Sequence, residues 1–503
     1  VRPSPTSAPA ASFRPQGALD IGSALRPYNG PWSVRHAAHL ARRAGFGGSP
    51  ADVARLAAMS PGSAVASFVN FSGTASYPAP DLQEPPLRGR RALMMQQQMP
   101  GASSDATAEQ IKAFNKAANM VRRDNLLALQ QWWLDRMIAT SAPLQEKMTL
   151  FWHSRYTSSI EKGTTLQELH TQNELFRTYA LGNVRDLTLR VSQDPAMLRY
   201  LDNNVNVKAH PNENYARELM ELFTLGIGNY SEDDVREIAR AFTGWSFRRQ
   251  AGGTAEFVNN RGQHDTGSKT FLGQTGNFDG SDVVRIIYQQ PAAARFLAAK
   301  LLAFFVYDDP EPELIDAVAA EIRKHDFTLQ PVMSTLLASN VFFSDRAYRA
   351  LVKSPVDFVV GTHQLFGIQH VNVKELAVLR AMGQVLFYPP NVKGWDGGAA
   401  WINSQTVLTR ENFANAVAQN PMTERSAGWL SPAFSTFDAR ATAQLLTGTM
   451  LQGDASPAAS ARLVAYLSGD DQSALAQLSV ENVDERVRAA TYLTMAMPAY
   501  QLA

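Results

Sequence analysis

The chain of 503 residues carries 47 Lys and Arg against 46 Asp and Glu, is 45% hydrophobic and contains no cysteine. A near-neutral balance without a basic block offers no field to attract nucleic acid, and the missing thiols exclude disulfides, cysteine nucleophiles and cysteine-ligated metals. No run of about 18 apolar residues is present, so no transmembrane helix is expected.

The first residues, VRPSPTSAPAASFRPQG, are rich in Pro, Ser and Ala. Residues 1–30 read as a flexible mature tail of the kind left after signal-peptide removal, which places the protein in the bacterial periplasm or outside the cell. WSVRHAAHLARRAGFGGSPADVARLAAM then predicts two helices broken at GFGGSP, with Ser49 as N-cap and Pro50 in the first turn. Residues 71–107 keep no period and are rich in Pro, Gly and Gln, so they read as an inserted long loop. Helical spacing resumes at Glu109 and runs through LQEKMTLFWHSRY. From Thr165 to Trp245 nearly every segment scans as helix, and Ser231 caps the last of them with Asp233 and Asp234 in its first turn. Residues 254–280 change to short alternating runs with Gly and Asn, a small β-hairpin excursion. Further helices are interrupted by FYPPNVKGWDGGAAWIN, and residues 413–503 form C-terminal helices packed on the same body. Strands and helices do not alternate. The expected fold is therefore mainly α, one large multi-helix domain over residues 31–412 extended by the C-terminal helices, with an α/α-toroid as one candidate architecture.

HPNENYARELMELFTLG, His210 to Gly226, crowds charge into about four helical turns. On a helical wheel Tyr215, Leu219, Leu222 and Phe223 form the core stripe, while Glu213, Asn214, Arg217, Glu218 and Glu221 occupy the opposite arc. Arg217 is one turn from both Glu213 and Glu221, so it can lie between two carboxylates. A solvated face accounts for such a ladder, and so does a substrate site. YLDNNVNVKAH, just before it, adds Asp202, Asn203 and Asn204, groups suited to sugar hydroxyls, and Trp245 at the end of the next helix offers an apolar face. His153 in FWHSRY, and His264 and Asp265 in QHDTGSK, are further polar candidates. In PPNVKGWDGGAAWIN, glycines at 394, 397 and 398 permit unusual backbone angles, and Lys393, Trp395, Asp396 and Trp401 suit a surface that stacks on sugar rings. No HExxH, EF-hand, GxGxxG, GxxxxGK[ST] or GxSxG motif occurs, and no metal or other cofactor is expected from one.

Taken in order, LARRAGFGGSP, QNELFRTYALGN, MLRYLDNN, PNENYARELMELFTLGIGNYSEDDVREIARAFTGW, HDTGSKTFLG and YPPNVKGWDGGAAWIN resemble the bacterial family called domain of unknown function 1800, from about Val34 to the Asn412 region. The resemblance implies an exported, mainly helical protein. It also implies a candidate partner, a second family resembling sulfatases and alkaline phosphatases that is often encoded beside it. No reaction carries over. Where members often read WHNHF this chain reads WHSRY, so Arg155 stands in place of a second histidine and weakens a metal or acid–base role there.

The leading expectation is an exported, carbohydrate-active hydrolase of glycoside-hydrolase type that cleaves a polysaccharide with paired carboxylates. Glu213 or Glu218 is the expected proton donor, with the second carboxylate from Asp202, Asp265 or Asp396. Asn203, Asn214, Arg217, Trp245, His153, His264, Lys393, Trp395 and Trp401 are the expected substrate contacts. Two other readings stand beside it: a non-catalytic polysaccharide-binding or export-assembly protein, and a metal-dependent hydrolase using His153, His264 and carboxylates.

Overall fold

Capping residues set many of the helix boundaries. In the computed structural model, which describes residues 20–71, 77–83, 108–250, 254–469 and 483–503, the chain begins with α1 (Val34–Ala44), α2 (Pro50–Ala57) and α3 (Pro61–Val69). Next come α4 (Ala108–Ala139), α5 (Pro143–Arg155), α6 (Leu166–Thr178), α7 (Val184–Gln193), α8 (Asn214–Glu218) and α9 (Glu232–Ala241). Two antiparallel hairpins follow, β1 (Trp245–Arg249) with β2 (Ala255–Asn259) and β3 (Lys269–Phe271) with β4 (Gln274–Gly276). The remaining principal helices are α10 (Gly280–Ile287), α11 (Pro291–Phe305), α12 (Pro312–Lys324), α13 (Leu329–Leu337), α14 (Pro355–Phe366), α15 (Val373–Ala381), α16 (Ser404–Gln419), α17 (Ala439–Leu451), α18 (Pro457–Ser468) and α19 (Val483–Ala496). The fold is mainly α, with two small hairpins. Among the described residues no helix is long and apolar enough to cross a membrane.

Ser49 and Asp52 close a capping box on α2, and Ser231 and Asp234 do the same on α9, so the first backbone N–H groups of both helices are satisfied. Two expectations need correction, and a third falls largely outside the described residues. The expected tail, of which residues 1–19 lie outside the described part, is docked from Asp20 onward: Tyr28 N–H donates to Ala338 O at 2.8 Å and Asn340 N–H to Arg26 O at 2.9 Å. Of the expected insertion, residues 72–76 and 84–107 also lie outside the described part, while Pro78 O accepts from Trp132 Nε1 at 2.6 Å on α4. Finally, the β excursion begins earlier than the alternation suggests and comprises two hairpins. Gly244 (φ 83°) ends α9, and a side chain there would meet Asn260 O at 2.5 Å, so only glycine lets β1 leave the helix beside β2.

The polar stretch departs from an ideal helix. After α8 the backbone widens into a π turn over Leu219–Thr224, in which Leu225 N–H reaches back five residues to Met220 O at 2.8 Å. Tyr215, Leu219 and Phe223 are buried as the wheel predicts, but Leu222 is not. The wider turn rotates Glu221 and Leu222 out of register with α8 and toward a cavity described below.

Buried side chains gather in two clusters. One draws on α1 to α3, α5 and the elements from α6 to α13, the other on α4, α6 and the helices from α14 to α19. α5 serves both, with Phe151 in the first and Leu150 in the second. At this seam Glu146 on α5, 1% exposed, accepts from Arg177 (2.6 and 2.9 Å), Arg136 (3.0 Å) and Trp133 Nε1 (2.9 Å), tying α4 and α6 to α5. We expect Glu146→Ala to leave the buried Arg136 and Arg177 guanidinium groups sharing only the Glu174 carboxylate among the described residues and to lower stability by about 3–5 kcal/mol, read as a large fall in the denaturant midpoint. Asp233→Ala, which removes the exposed partner of Arg236, is expected to change it by less than about 1 kcal/mol.

Candidate functional site

The loop between α15 and α16 is fixed onto the C-terminal end of α5 by short backbone approaches. His153 Nε2 accepts from Phe387 N–H at 3.1 Å, Ile160 N–H donates to Phe387 O at 3.2 Å, and the Thr157 hydroxyl donates to Val392 O. Gly394 (φ 88°) lies so close to Ser154 O that a Cβ atom would sit 2.5 Å from it. These contacts hold Trp395 with its ring centroid 5.6 Å from the His153 imidazole. Trp401, 7% exposed, anchors the far end of the loop just before the Asn403 capping box opens α16.

This loop walls a cavity of about 480 Å³, within the range of small-molecule sites. Lys393, Trp395, Asp396 and Trp401 line one side. α5 contributes Lys147 and Arg155, the π turn Glu221 and Leu222, and α11 Phe296 and Lys300. Arg43 and Asp308 enter from α1 and from the segment after α11. Six cationic and four carboxylate side chains line the space in all.

Many of these charges are already matched. Lys147 pairs with Asp357, and Lys393 with Asp396 at 2.6 Å. Glu221 accepts from the Tyr230 hydroxyl at 3.0 Å. Arg43, buried, donates to the Phe305, Val306 and Ala503 carbonyls, and burial followed by the nearby Arg42 charge pushes it down to about 9. Asp308 makes no hydrogen bond or ion pair among the described residues, and neither does Lys300. Asp308 is exposed at the cavity, and partial desolvation there, followed by the neighbouring Asp309 charge, raises its carboxyl above the usual carboxylate range, against the pull of Arg43. Asp308 also lies against Gly398 (φ 53°), where a Cβ atom would come within 3.0 Å of its Oδ2. The loop carrying Asp396 and the Asp308 carboxyl thus share one wall.

The polar stretch that dominates the sequence falls outside this cavity, apart from its π turn. Arg217 lies between Glu213 (3.3 Å) and Glu232 on α9 (2.7 and 2.8 Å), not between Glu213 and Glu221. Glu218 is half-buried, and burial and then Glu221 raise its carboxyl, but it does not line the space. Asp202 (φ 58°) pairs with Lys162 at 2.7 Å on the surface. Asn203 accepts from Asn206 Nδ2 at 3.0 Å, and Asn214 donates to Leu201 O at 3.1 Å, so both brace the turn before α8. Trp245 is buried against Phe242 and Phe257 with no face for a sugar. His264 bonds Thr243 O at 2.9 Å, and Asp265 accepts from Arg240 at 2.7 Å, binding the β3–β4 hairpin to α9. Among the described residues no three His, Asp or Glu side chains form a group that could hold a metal ion.

Lys300, Phe296 and Asp308 escape a motif search because they belong to no motif. Their signal is a lone lysine one turn after a phenylalanine in the apolar PAAARFLAAKLLAFF, with an acidic pair soon after it.

His153 is buried, and burial pushes its imidazole down to about 3. The folded chain therefore keeps the ring neutral while the unfolded chain takes up a proton below about 6.5, so stability is complete above that value and falls by about 1.4 kcal/mol per pH unit down to about 3. His153→Gln keeps an acceptor for Phe387 N–H but does not titrate. We expect it to flatten the pH dependence of unfolding between 6.5 and 3, measured by denaturant titration beside the wild type.

No curated protein and no solved structure matches the chain. The family model described as protein of unknown function (DUF1800) matches residues 39–502, so it takes in the C-terminal helices that the resemblance left undecided. The chain belongs to that family.

Proposed function

We propose that the protein is an exported hydrolase acting on a polysaccharide, and that its site is the tryptophan-lined cavity rather than the polar helix. One observation carries the reading. Asp308, a raised carboxyl with no side-chain hydrogen bond or ion pair among the described residues, lies in the same cavity as Trp395, Trp401 and three further carboxylates, Glu221, Asp357 and Asp396. A glycosidic bond is cleaved by one carboxyl that donates a proton and a second that acts as base or nucleophile. Asp308 fits the donor, since a raised value keeps the acid protonated nearer neutral pH. Asp396 and Glu221 supply the candidates for the second role, and the Trp395 ring offers the apolar face on which a sugar stacks.

The mechanism follows from these placements. A sugar ring lies over Trp395 with its glycosidic oxygen toward Asp308. The Asp308 proton passes to that oxygen as the bond to the anomeric carbon breaks, while the second carboxylate activates water or attacks the carbon directly. Activity falls as pH rises through the Asp308 value, because the donor is then empty.

The test is release of new reducing ends from a panel of bacterial and plant polysaccharides. Asp308→Asn is expected to lower the rate by about 10²–10⁴-fold while binding persists, the loss associated with a general acid. Glu213→Gln and Glu218→Gln are expected to leave it within a few-fold of wild type. Loss of activity in either glutamate variant but not in Asp308→Asn would return the site to the polar helix. Binding without release from any substrate would make this a polysaccharide-binding protein.

A further inference from the structure

We infer that the cavity selects an anionic ligand, a saccharide bearing carboxylate, sulfate or phosphate groups, and that Arg155 and Lys300 form the anion-holding pair. The saccharide half of this statement rests on the function proposed above. The anion half stands on the side chains alone.

Arg155 and Lys300 flank the same ring, with the Arg155 guanidinium carbon 4.9 Å and the Lys300 Nζ 5.5 Å from the Phe296 centroid. Among the described residues neither has a carboxylate partner. A guanidinium offers five N–H donors; among the described residues Arg177 makes four side-chain hydrogen bonds and Arg43 three, whereas Arg42 and Arg199 make one each. Arg155 makes one, to Leu222 O in the π turn at 2.8 Å. That bond fixes the group beside the cavity and leaves its other donors open to it.

The charges that act on Lys300 point the same way. After burial, the influences lowering its ammonium are Arg155 and then Lys393, both cationic. Three like charges thus converge, and among the described residues only Lys393 of the three forms an ion pair, with Asp396. Such an arrangement is unfavourable when empty and is relieved by an anion that accepts from Arg155 and Lys300 together. A neutral sugar would leave it unrelieved. Trp395 in the same space adds stacking, so a charged sugar engages both features.

The experiment is calorimetric titration of the full chain with four dextrans on one backbone, neutral, carboxymethyl, sulfate and phosphate, and with inorganic sulfate and phosphate. Wild type is expected to bind at least one charged dextran about tenfold or more tighter than the neutral chain, the scale of a charge-assisted hydrogen bond, and the preferred arm identifies the anionic group. Lys300 is exposed at the cavity, so Lys300→Gln should fold, erase most of that preference and leave neutral dextran unchanged. Lys300→Arg should restore it, and Lys112→Gln, an exposed lysine outside the cavity, should have no effect. Equal affinity for charged and neutral chains, or equal loss on both in Lys300→Gln, overturns the anion inference and leaves the saccharide reading intact. Lys300-dependent binding of inorganic sulfate or phosphate without any dextran overturns the saccharide reading and keeps the anion site. Binding of no probe overturns both.

Discussion

The close approach of a glycine loop to the end of one helix determines the rest of the site. Gly394 passes over Ser154 O at a distance that excludes any side chain, and Thr157 and His153 hold the flanking backbone through Val392 O and Phe387 N–H. Because α5 belongs to both hydrophobic clusters, a loop that leaves one cluster is pinned where the other begins. A cavity opens at that seam, as ligand sites do where two packed bodies meet. Trp395 is positioned by backbone contacts around it, so it keeps its place in the wall without ligand.

Charge in this protein follows two regimes. In the interior the carboxylates are well matched: Glu146 has four donors, and Glu168 meets Arg199 at 2.7 Å. Leaving such groups unmatched in low dielectric is costly. At the cavity the pattern relaxes. Asp308 and Lys300 have no partner among the described residues, and Arg155 has one where it has room for more. Lys300 and Asp308 are exposed there, which makes the missing partners tolerable, and the proposed ligand would complete the set.

Much of the fold was legible because helix signals are local. Ser49 and Ser231 cap where their sequence context says they should, and the absence of strand–helix alternation is enough to predict a mainly α body. The site was half legible. Lys393, Trp395, Asp396 and Trp401 announce themselves as tryptophans and charges in a glycine loop, and all four line the cavity. Glu213, Glu218 and Asp202 do not line it, and charge density in sequence does not reveal partners: Glu232, which takes up Arg217, is on the next helix. The π turn was invisible to a wheel built on a fixed angle per residue, and it is what separates Glu221 from Glu218. Asp308 and Lys300 matter only through tertiary placement beside Gly398 and Phe296, which no local pattern encodes.

Hydrogen exchange measured with and without the polysaccharide panel tests the location of the site most directly. The account predicts slowed exchange confined to the loop around residues 388–402, the π turn and the segment from Phe296 to Asp308. Protection centred on residues 202–218, with none in the tryptophan loop, would contradict it.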